Sequence, residues 1–311
     1  MTIGISIITP HHNDFKGLKR IHSLFLNQDS KNWEWIIVDD FSKPEIRASI
    51  KSFFNQNPKP NIKIIFNDSK TNASVCRNIG IEYSISNRLV FLDADDSISE
   101  DFVRNRCIEV NEFVVFKNFI IVDVNGQVKS APIVSSNYLD CFLRAKFIWQ
   151  TSCIVWNKEF LIKIGKFNTE LKRLQDVELS IRALILGSNY QIMDNKVDFY
   201  YHVAPIDVSK RPVKIICDAV NYLVNLMQNN YQFDKYQRKL VTGYYYLCVR
   251  YFSRSKNKSD LEFVENSLKS FHQNKFMSFL GYMRALTILR LYKLNLISGD
   301  LFLRLNRYFY K

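Results

Sequence analysis

The sequence is sparing with the residues that break or cross-link a chain. Its 311 residues include only 9 Gly and 7 Pro, too few for a protein with long disordered parts. It has no low-complexity tract and no internal repeat, which excludes stacked-repeat architectures. The six cysteines, at 76, 107, 141, 153, 217 and 248, are scattered and form no C-x-x-C pair. That is the pattern of a reduced cytosolic protein without structural zinc. No apolar run is long enough to span a bilayer. Met1-Thr2 leads straight into Ile3-Gly4-Ile5-Ser6-Ile7-Ile8-Thr9 without a secretory leader pattern. The expectation is a cytoplasmic protein.

What is present is apolar content of 47%, enough for a full core, on a chain long enough for one large domain and a smaller one. Charge is uneven. Pro212 to Lys311 carries 16 Lys/Arg against 6 Asp/Glu, so +10 of the total +13 lies in the last third. Such a region has an anionic surface as its natural partner.

Short apolar runs at residues 3–9, 33–38, 62–66 and 88–92 read as buried strands, with helical spacing at 15–27, 44–54 and 72–84 between them. This alternation predicts βαβ units and a mostly parallel sheet. Right-handed crossovers then bring the strand-end loops to one rim. Asp39-Asp40 ends the second strand, and Asp93, Asp95 and Asp96 end the fourth. Ligands of open α/β sheets bind beyond such strand ends. Clustered acids repel unless a cation or donors offset them, and a divalent metal completed by substrate phosphates would do so. A solvated turn capping a helix that starts near Ser99 is the competing reading. Further on, residues 112–123 are β-rich and followed by the turn pair Asn125-Gly126. Residues 138–146 and 174–186 look helical, and 151–156 and 197–202 look like strands. From Val213 the pattern is helical. Tyr244-Tyr245-Tyr246, Tyr251-Phe252 and Tyr308-Phe309-Tyr310 are interleaved with Arg and Lys, which predicts a helical bundle with a basic, aromatic surface.

Ile5–Asn13, Trp35–Ser42, Ala73–Gly80, Phe91–Asp96 and Leu174–Leu179, in that order, resemble the family 2 glycosyltransferases. Ile5 to Asn13 is similar to the family's first strand and Pro-x-Tyr-Asn loop. Trp35 to Ser42 is similar to the strand ending in Asp-Asp-x-Ser, and Ala73 to Gly80 to the Ala-Arg-Asn-x-Gly helix. Phe91 to Asp96 resembles the D-x-D strand end, and Leu174 to Leu179 the Glu-Asp segment that supplies the base. The resemblance covers roughly residues 3–202, and two positions depart from it. His12 replaces the usual Tyr, and Gln175 replaces the usual Glu before the base.

The resemblance implies a GT-A (Rossmann-like) mixed, mostly parallel sheet flanked by helices, followed by a C-terminal helical domain. The division expected is 1–212 for donor binding and catalysis, and 213–311 for membrane association, acceptor binding or oligomerisation. It implies an inverting hexosyltransferase taking a UDP-sugar to a hydroxyl of a glycan or lipid-linked glycan acceptor, in bacterial capsule, O-antigen or lipooligosaccharide synthesis. Pro10, His11, Asn13, Asp40, Asn72, Arg77 and Asp93 would meet the nucleotide, with Asp40 accepting from uracil N3–H. Asp39 is assigned to structure. Asp95, Asp96 and His202 would hold Mn²⁺ or Mg²⁺, and Lys210 and Arg211 are candidates to close over the diphosphate. Asp176 would be the base, with Glu178 on the surface or at the acceptor.

Each assignment has a structural competitor. Asp39 and Asp40 could cap a helix, and Asp176 could be an N-terminal acid favoured by the helix dipole. His202 could be a structural histidine, and Arg77 an ion-pair residue. The basic tail could be an ordinary dimerisation or acceptor domain, or a peripheral anchor on the inner face of the cell membrane. Two other functions compete with the transferase reading. One is nucleic-acid binding through the basic, aromatic tail, against which the acidic rim stands. The other is a catalytically silent sugar-nucleotide binder.

Overall fold

The computed structural model describes residues 4–130, 137–203, 212–255 and 257–311. These pack as two compact units. One comprises Met1–Val134, Trp149–Thr169 and Arg182–Pro205; the other comprises Ser135–Ile148, Glu170–Ile181 and Ile206–Lys311. The expected boundary at 212 falls near the last exchange between them. Two earlier segments, 135–148 and 170–181, nonetheless join the helical unit.

The first unit opens with β1 (Ile5–His11), α1 (Phe15–Leu26), β2 (Trp33–Asp39), α2 (Pro44–Gln56), β3 (Ile62–Phe66), α3 (Ala73–Tyr83) and β4 (Arg88–Phe91). It continues with β5 (Ser97–Ile98), α4 (Phe102–Arg106), β6 (Phe113–Phe116), β7 (Ile120–Val122) and β8 (Val128–Ser130). After α5 (Tyr138–Leu143), which belongs to the helical unit, come β9 (Ile154–Asn157), α6 (Lys158–Lys163), α7 (Gln175–Leu186), whose residues up to Ile181 also belong to the helical unit, β10 (Gln191–Met193) and β11 (Phe199–His202).

Seven strands form one sheet in the order β10-β6-β9-β4-β1-β2-β3. β4, β1, β2 and β3 run parallel, and β9 is antiparallel to both neighbours. Thus β1, β2 and β4 end on one rim, as the alternation predicts. β2 is buried at every position, which is why Trp35–Val38 is continuously apolar; the buried Glu34 is satisfied by the Ser6 hydroxyl and the Ile85 amide. α1 places Leu18, Ile21 and Phe25 inward, and Phe25 stacks on Trp33 at 4.9 Å and meets Trp35 at 5.1 Å. Burying each such side chain contributes roughly 1.5–3 kcal/mol.

Four short strands, β5-β11-β7-β8, make a second sheet. Sequence periodicity mistook its neighbourhood. Residues 112–123 hold two strands, one in each sheet, so no single alternation could appear. Residues 151–153 form a 3₁₀ turn before β9, and the helix expected near Ser99 begins at Phe102 because Ser97–Ile98 pairs with β11. Between the sheets' elements, Arg106 and Asp198 form a fully buried ion pair at 2.8 Å, with the guanidinium 3.8 Å over the Phe116 ring.

The second unit adds α8 (Pro212–Asn230), α9 (Lys235–Ser255), α10 (Leu261–Gln273), α11 (Phe279–Lys293) and α12 (Gly299–Tyr310). Its tyrosine triplet corrects the expectation of an aromatic surface: Tyr244, Tyr245 and Tyr246 are buried in α9. Tyr244 keeps its hydroxyl satisfied by donating to the Phe142 carbonyl at 2.7 Å, so the ring can join the core without stranding a polar atom. Gly243 permits this approach, since a Cβ there would lie 2.3 Å from the Arg144 carbonyl oxygen. No helix among the described residues is long and apolar enough to cross a membrane.

Candidate active site

At the carboxyl ends of β1, β2 and β4 lies a cavity of about 330 Å³ whose walls include Pro10, His11, Asp40, Arg77, Asp93 and Asp95. Six of the sequence-assigned residues therefore meet in one place.

The β1 end is rigid because its side chains bond to the β2 end. His11 Nε2 accepts from the Asp14 amide at 3.0 Å, so its Nδ1 carries the proton that meets Asp39 at 2.8 Å. Ser42 also donates to Asp39, through its amide at 3.1 Å and its hydroxyl at 2.5 Å. Burial alone would raise the Asp39 pKa, but these donors outweigh it and hold the carboxylate below its ordinary range. Asp39 is thus engaged by His11 and Ser42 and does not line the cavity. His12 packs its Nδ1 against the Asp40 carbonyl at 3.1 Å. Asn13, at φ 59°, stays out of the cavity wall; its side-chain oxygen accepts from the Lys43 amide at 2.8 Å.

Asp40 is held differently. Its Oδ1 accepts from the Thr71 amide at 2.7 Å and the Thr71 hydroxyl at 2.5 Å, and its Oδ2 accepts from the Lys70 ammonium. Burial works against ionisation, yet Lys70 and Thr71 prevail and keep the pKa lowered. Sequence reasoning missed Lys70 and Thr71. The signal was available: they follow β3, the parallel neighbour of β2, so the rim argument extends to them. Cys76 also faces the cavity. Burial, then the Asp40 charge, push its thiol up to about 12, so it stays protonated at neutral pH.

α3 supplies Arg77, which is buried, bonds Asp93 at 2.7 Å and lies 5.3 Å over Phe167. Asn72 caps this helix by accepting from the Val75 amide at 3.1 Å and donates to the Thr169 carbonyl at 2.7 Å. Both of its contacts are structural, and it does not line the cavity. Gly80 shows why the helix sits so close to β1: a Cβ there would fall 2.3 Å from Ile8 Cγ2.

The acid turn after β4 rests on α1. The Arg20 guanidinium donates to the carbonyls of Ala94 at 2.9 Å and Asp96 at 3.0 Å. Gly17 lets the turn approach, because a Cβ there would sit 2.6 Å from the Ala94 carbonyl oxygen. Asp93, Asp95 and Asp96 each bring a carboxylate oxygen within 4.8 Å of the others. Burial first, and then the Asp93 charge, push Asp95 up; Asp96 is raised well above its ordinary value by burial, Asp93 and Asp95. Only Asp93 of the three has a cationic side chain in an ion pair among the described residues. Three clustered carboxylates short of positive charge form a hard oxygen donor set, and they fit a divalent cation such as Mg²⁺ or Mn²⁺.

His202 stands outside this oxygen cluster. Its amide donates to Asp96 at 3.0 Å, and its Nε2 pairs with the Ser97 hydroxyl at 3.1 Å. Burial, then the Arg20 charge, lower its pKa. Lys210 and Arg211 lie outside the described residues. Asp176 is half-buried in the first turn of α7 and belongs to the helical unit, two residues after Leu174 at φ 61°. Its charge adds to burial in raising the Tyr244 pKa. Glu178, expected at the surface or the acceptor, is buried at 3% exposure.

Known proteins agree with this architecture. Residues 6–110 match the family model "Glycosyl transferase family 2". The amylovoran biosynthesis glycosyltransferase AmsB of Erwinia amylovora is 24% identical over 65% of this chain and 70% of its own length. The poly(ribitol-phosphate) beta-N-acetylglucosaminyltransferase TarP of Staphylococcus aureus is 28% identical over 65% of this chain, an alignment that spans 63% of TarP. The crystal structure of S. aureus TarS 1–349 in complex with UDP-GlcNAc superposes with a TM-score of 0.65 at 16% identity, covering 99% of this chain and 91% of that one. Residues 6–110 thus match glycosyltransferase family 2, and the chain is built on the GT-A fold of these neighbours.

Proposed function

We propose that this glycosyltransferase is inverting and metal-dependent, and that it moves a sugar from a UDP-sugar to a hydroxyl of a glycan or lipid-linked glycan during bacterial surface polysaccharide synthesis. The observation that carries the reading is the shared cavity, which joins Asp40 on one strand end to the Asp93–Asp96 turn on another. In this reading residues 1–212 serve donor and catalysis at the cytoplasmic side, and residues 213–311 serve the acceptor, a membrane surface or a second copy.

Asp40 would accept from the uracil N3–H, a bond strengthened by the carboxylate's charge. Pro10 and His11 would frame the base, Asp93 the ribose hydroxyls, and Arg77 would keep Asp93 in place. Asp95 and Asp96, with His202 beside them, would hold Mg²⁺ or Mn²⁺, which when bound stabilises charge on the diphosphate. Asp176 is assigned as base on its motif. It would take the acceptor hydroxyl's proton as that oxygen bonds the anomeric carbon and the bond to UDP breaks. One displacement inverts that carbon.

UDP release tests this with UDP-Glc, UDP-Gal and their N-acetyl forms, each with Mn²⁺ or Mg²⁺. Asp176→Asn should lower transfer by about 10²–10⁴-fold while UDP affinity stays unchanged. Lost UDP binding would instead make Asp176 a structural residue. Asp95→Ala should abolish turnover, and full activity in EDTA would end the metal assignment.

A further inference from the structure

The helical unit holds a second cavity, of about 560 Å³, between α9, α11 and α12. Lys235, Arg238, Lys239, Lys275 and Arg284 line it, together with Phe276, Phe309 and Tyr310; none of its lining residues is acidic. None of the five cations forms an ion pair with a carboxylate among the described residues. Two are organised by other means. Arg238 donates to Gln228 at 2.8 Å and lies 5.4 Å over Phe276, and Arg284 lies 4.3 Å over Phe309. Their guanidinium planes are therefore held by rings while their charge stays uncompensated. Five like charges around one concavity repel each other, and an anion placed among them relieves that repulsion.

The rim shows which anion. Phe279 and Leu280 open α11 beside the cavity and are 68% and 69% exposed; Met283 and Tyr308 are 39% and 82% exposed. Large apolar side chains in water next to a cationic pocket have the composition of a membrane-interface surface, with aliphatic groups for the acyl region and cations for the phosphate. A soluble phosphate ligand would leave those side chains without a role.

We propose that this cavity binds the phosphate headgroup of an anionic membrane lipid, with Phe279 and Leu280 entering the acyl boundary around it. The site is independent of the donor cavity and needs no sugar nucleotide.

Flotation of the full chain with vesicles of phosphatidylglycerol and phosphatidylcholine, against phosphatidylcholine alone, reads it without any transferase assay. The protein should float with the anionic vesicles only. The triple variant Lys235→Gln, Lys239→Gln, Lys275→Gln should weaken binding by on the order of ten-fold or more, each cation near an anionic surface contributing appreciably. Arg290→Gln, Lys293→Gln, Arg304→Gln removes the same charge outside the cavity and should change binding less than about two-fold, on the same per-charge reasoning. Equal losses in the two triple variants would show diffuse attraction and overturn the site. Phe279→Ser with Leu280→Ser should release the protein from vesicles while leaving its affinity for inorganic phosphate unchanged. Vesicle binding undiminished in that double variant would overturn the lipid as the source. The substituted residues of the cationic arm are solvent-exposed, and unchanged far-UV circular dichroism verifies each fold. Should the triple variant fail that check, Lys239→Glu alone carries the same expectation.

Discussion

Adjacent acids at the end of β2 have opposite fates. Asp39 is sealed among His11, Ser42 and Arg47, whereas Asp40 faces the cavity. That division was legible in the sequence, because alternate residues of a strand point to opposite sides. The partners of Asp40, Lys70 and Thr71, reach it from 30 and 31 positions away, and only the parallel pairing of β2 with β3 signals them. The burial of Glu178 was not legible, because a charged side chain in a helix's first turn ordinarily faces solvent. Asp96 carries a prediction at this scale. Its folded-state pKa is raised, so its contribution to stability is present at low pH and lost as pH rises through that value. Asp96→Asn keeps an oxygen for the His202 amide and removes the buried charge. In the absence of metal it should raise Tm at pH 7 by about 2 °C or more, with a smaller effect at pH 4, while weakening Mn²⁺ affinity. Thermal melts at both pH values, with and without Mn²⁺, measure it; a lower Tm at pH 7 would contradict the argument.

Among the elements, the parallel core was the most readable part. Strongly apolar runs give β1, β2 and β4 their burial, and helical spacing gives α1 and α3 their inward faces. The edge of the fold was opaque for a physical reason. Strands of two to four residues, as in β5, β7 and β10, are too short to display a period, and only their sheet partners define them. The glycine that ends the Ala73–Gly80 motif also gains an explanation: it is a packing residue. Gly80→Ala would force Ile8 and α3 apart, and should cost about 1–3 kcal/mol, seen as a lower denaturant midpoint with little change in the slope. A neutral result would mean the helix can shift away freely. The Arg106–Asp198 pair ties α4 to the approach of β11. Asp198→Ala leaves the guanidinium buried without its counter-charge, and roughly 3–5 kcal/mol of stability should go with it, measurable by the same titration.

The whole molecule divides its charge and its pH response. With +10 of its +13 in residues 212–311, the helical unit carries the attraction for anions, while the sheet unit presents the acid turn. Composition gave that asymmetry directly. It could not reveal that the tyrosine triplet 244–246 of α9 is buried in the core, because aromatic residues alternating with cations suit a buried helix as well as an exposed one. Acid should destabilise the protein in two stages. His22 has its pKa lowered by burial and then by Lys59, so its stabilisation begins to fade as pH falls through the ordinary histidine range near 6.5. Asp39 and Asp40, both lowered, contribute stability above about pH 4 and lose it as pH drops through their folded-state values. Urea midpoints collected from pH 7 to pH 3 should therefore decline first near pH 6 and again below pH 4. His22→Phe should erase the first decline; its persistence would place that proton elsewhere.

One close approach has a reach beyond its neighbourhood. The acid turn leans on Gly17 and Arg20, two residues of a helix that does not itself supply a carboxylate to the cluster. Adding one methyl group at position 17 would tilt three oxygen donors at once. A laboratory search for variants with altered cation preference should accordingly recover changes along Phe15–Leu26, some way from any atom that the cation would touch.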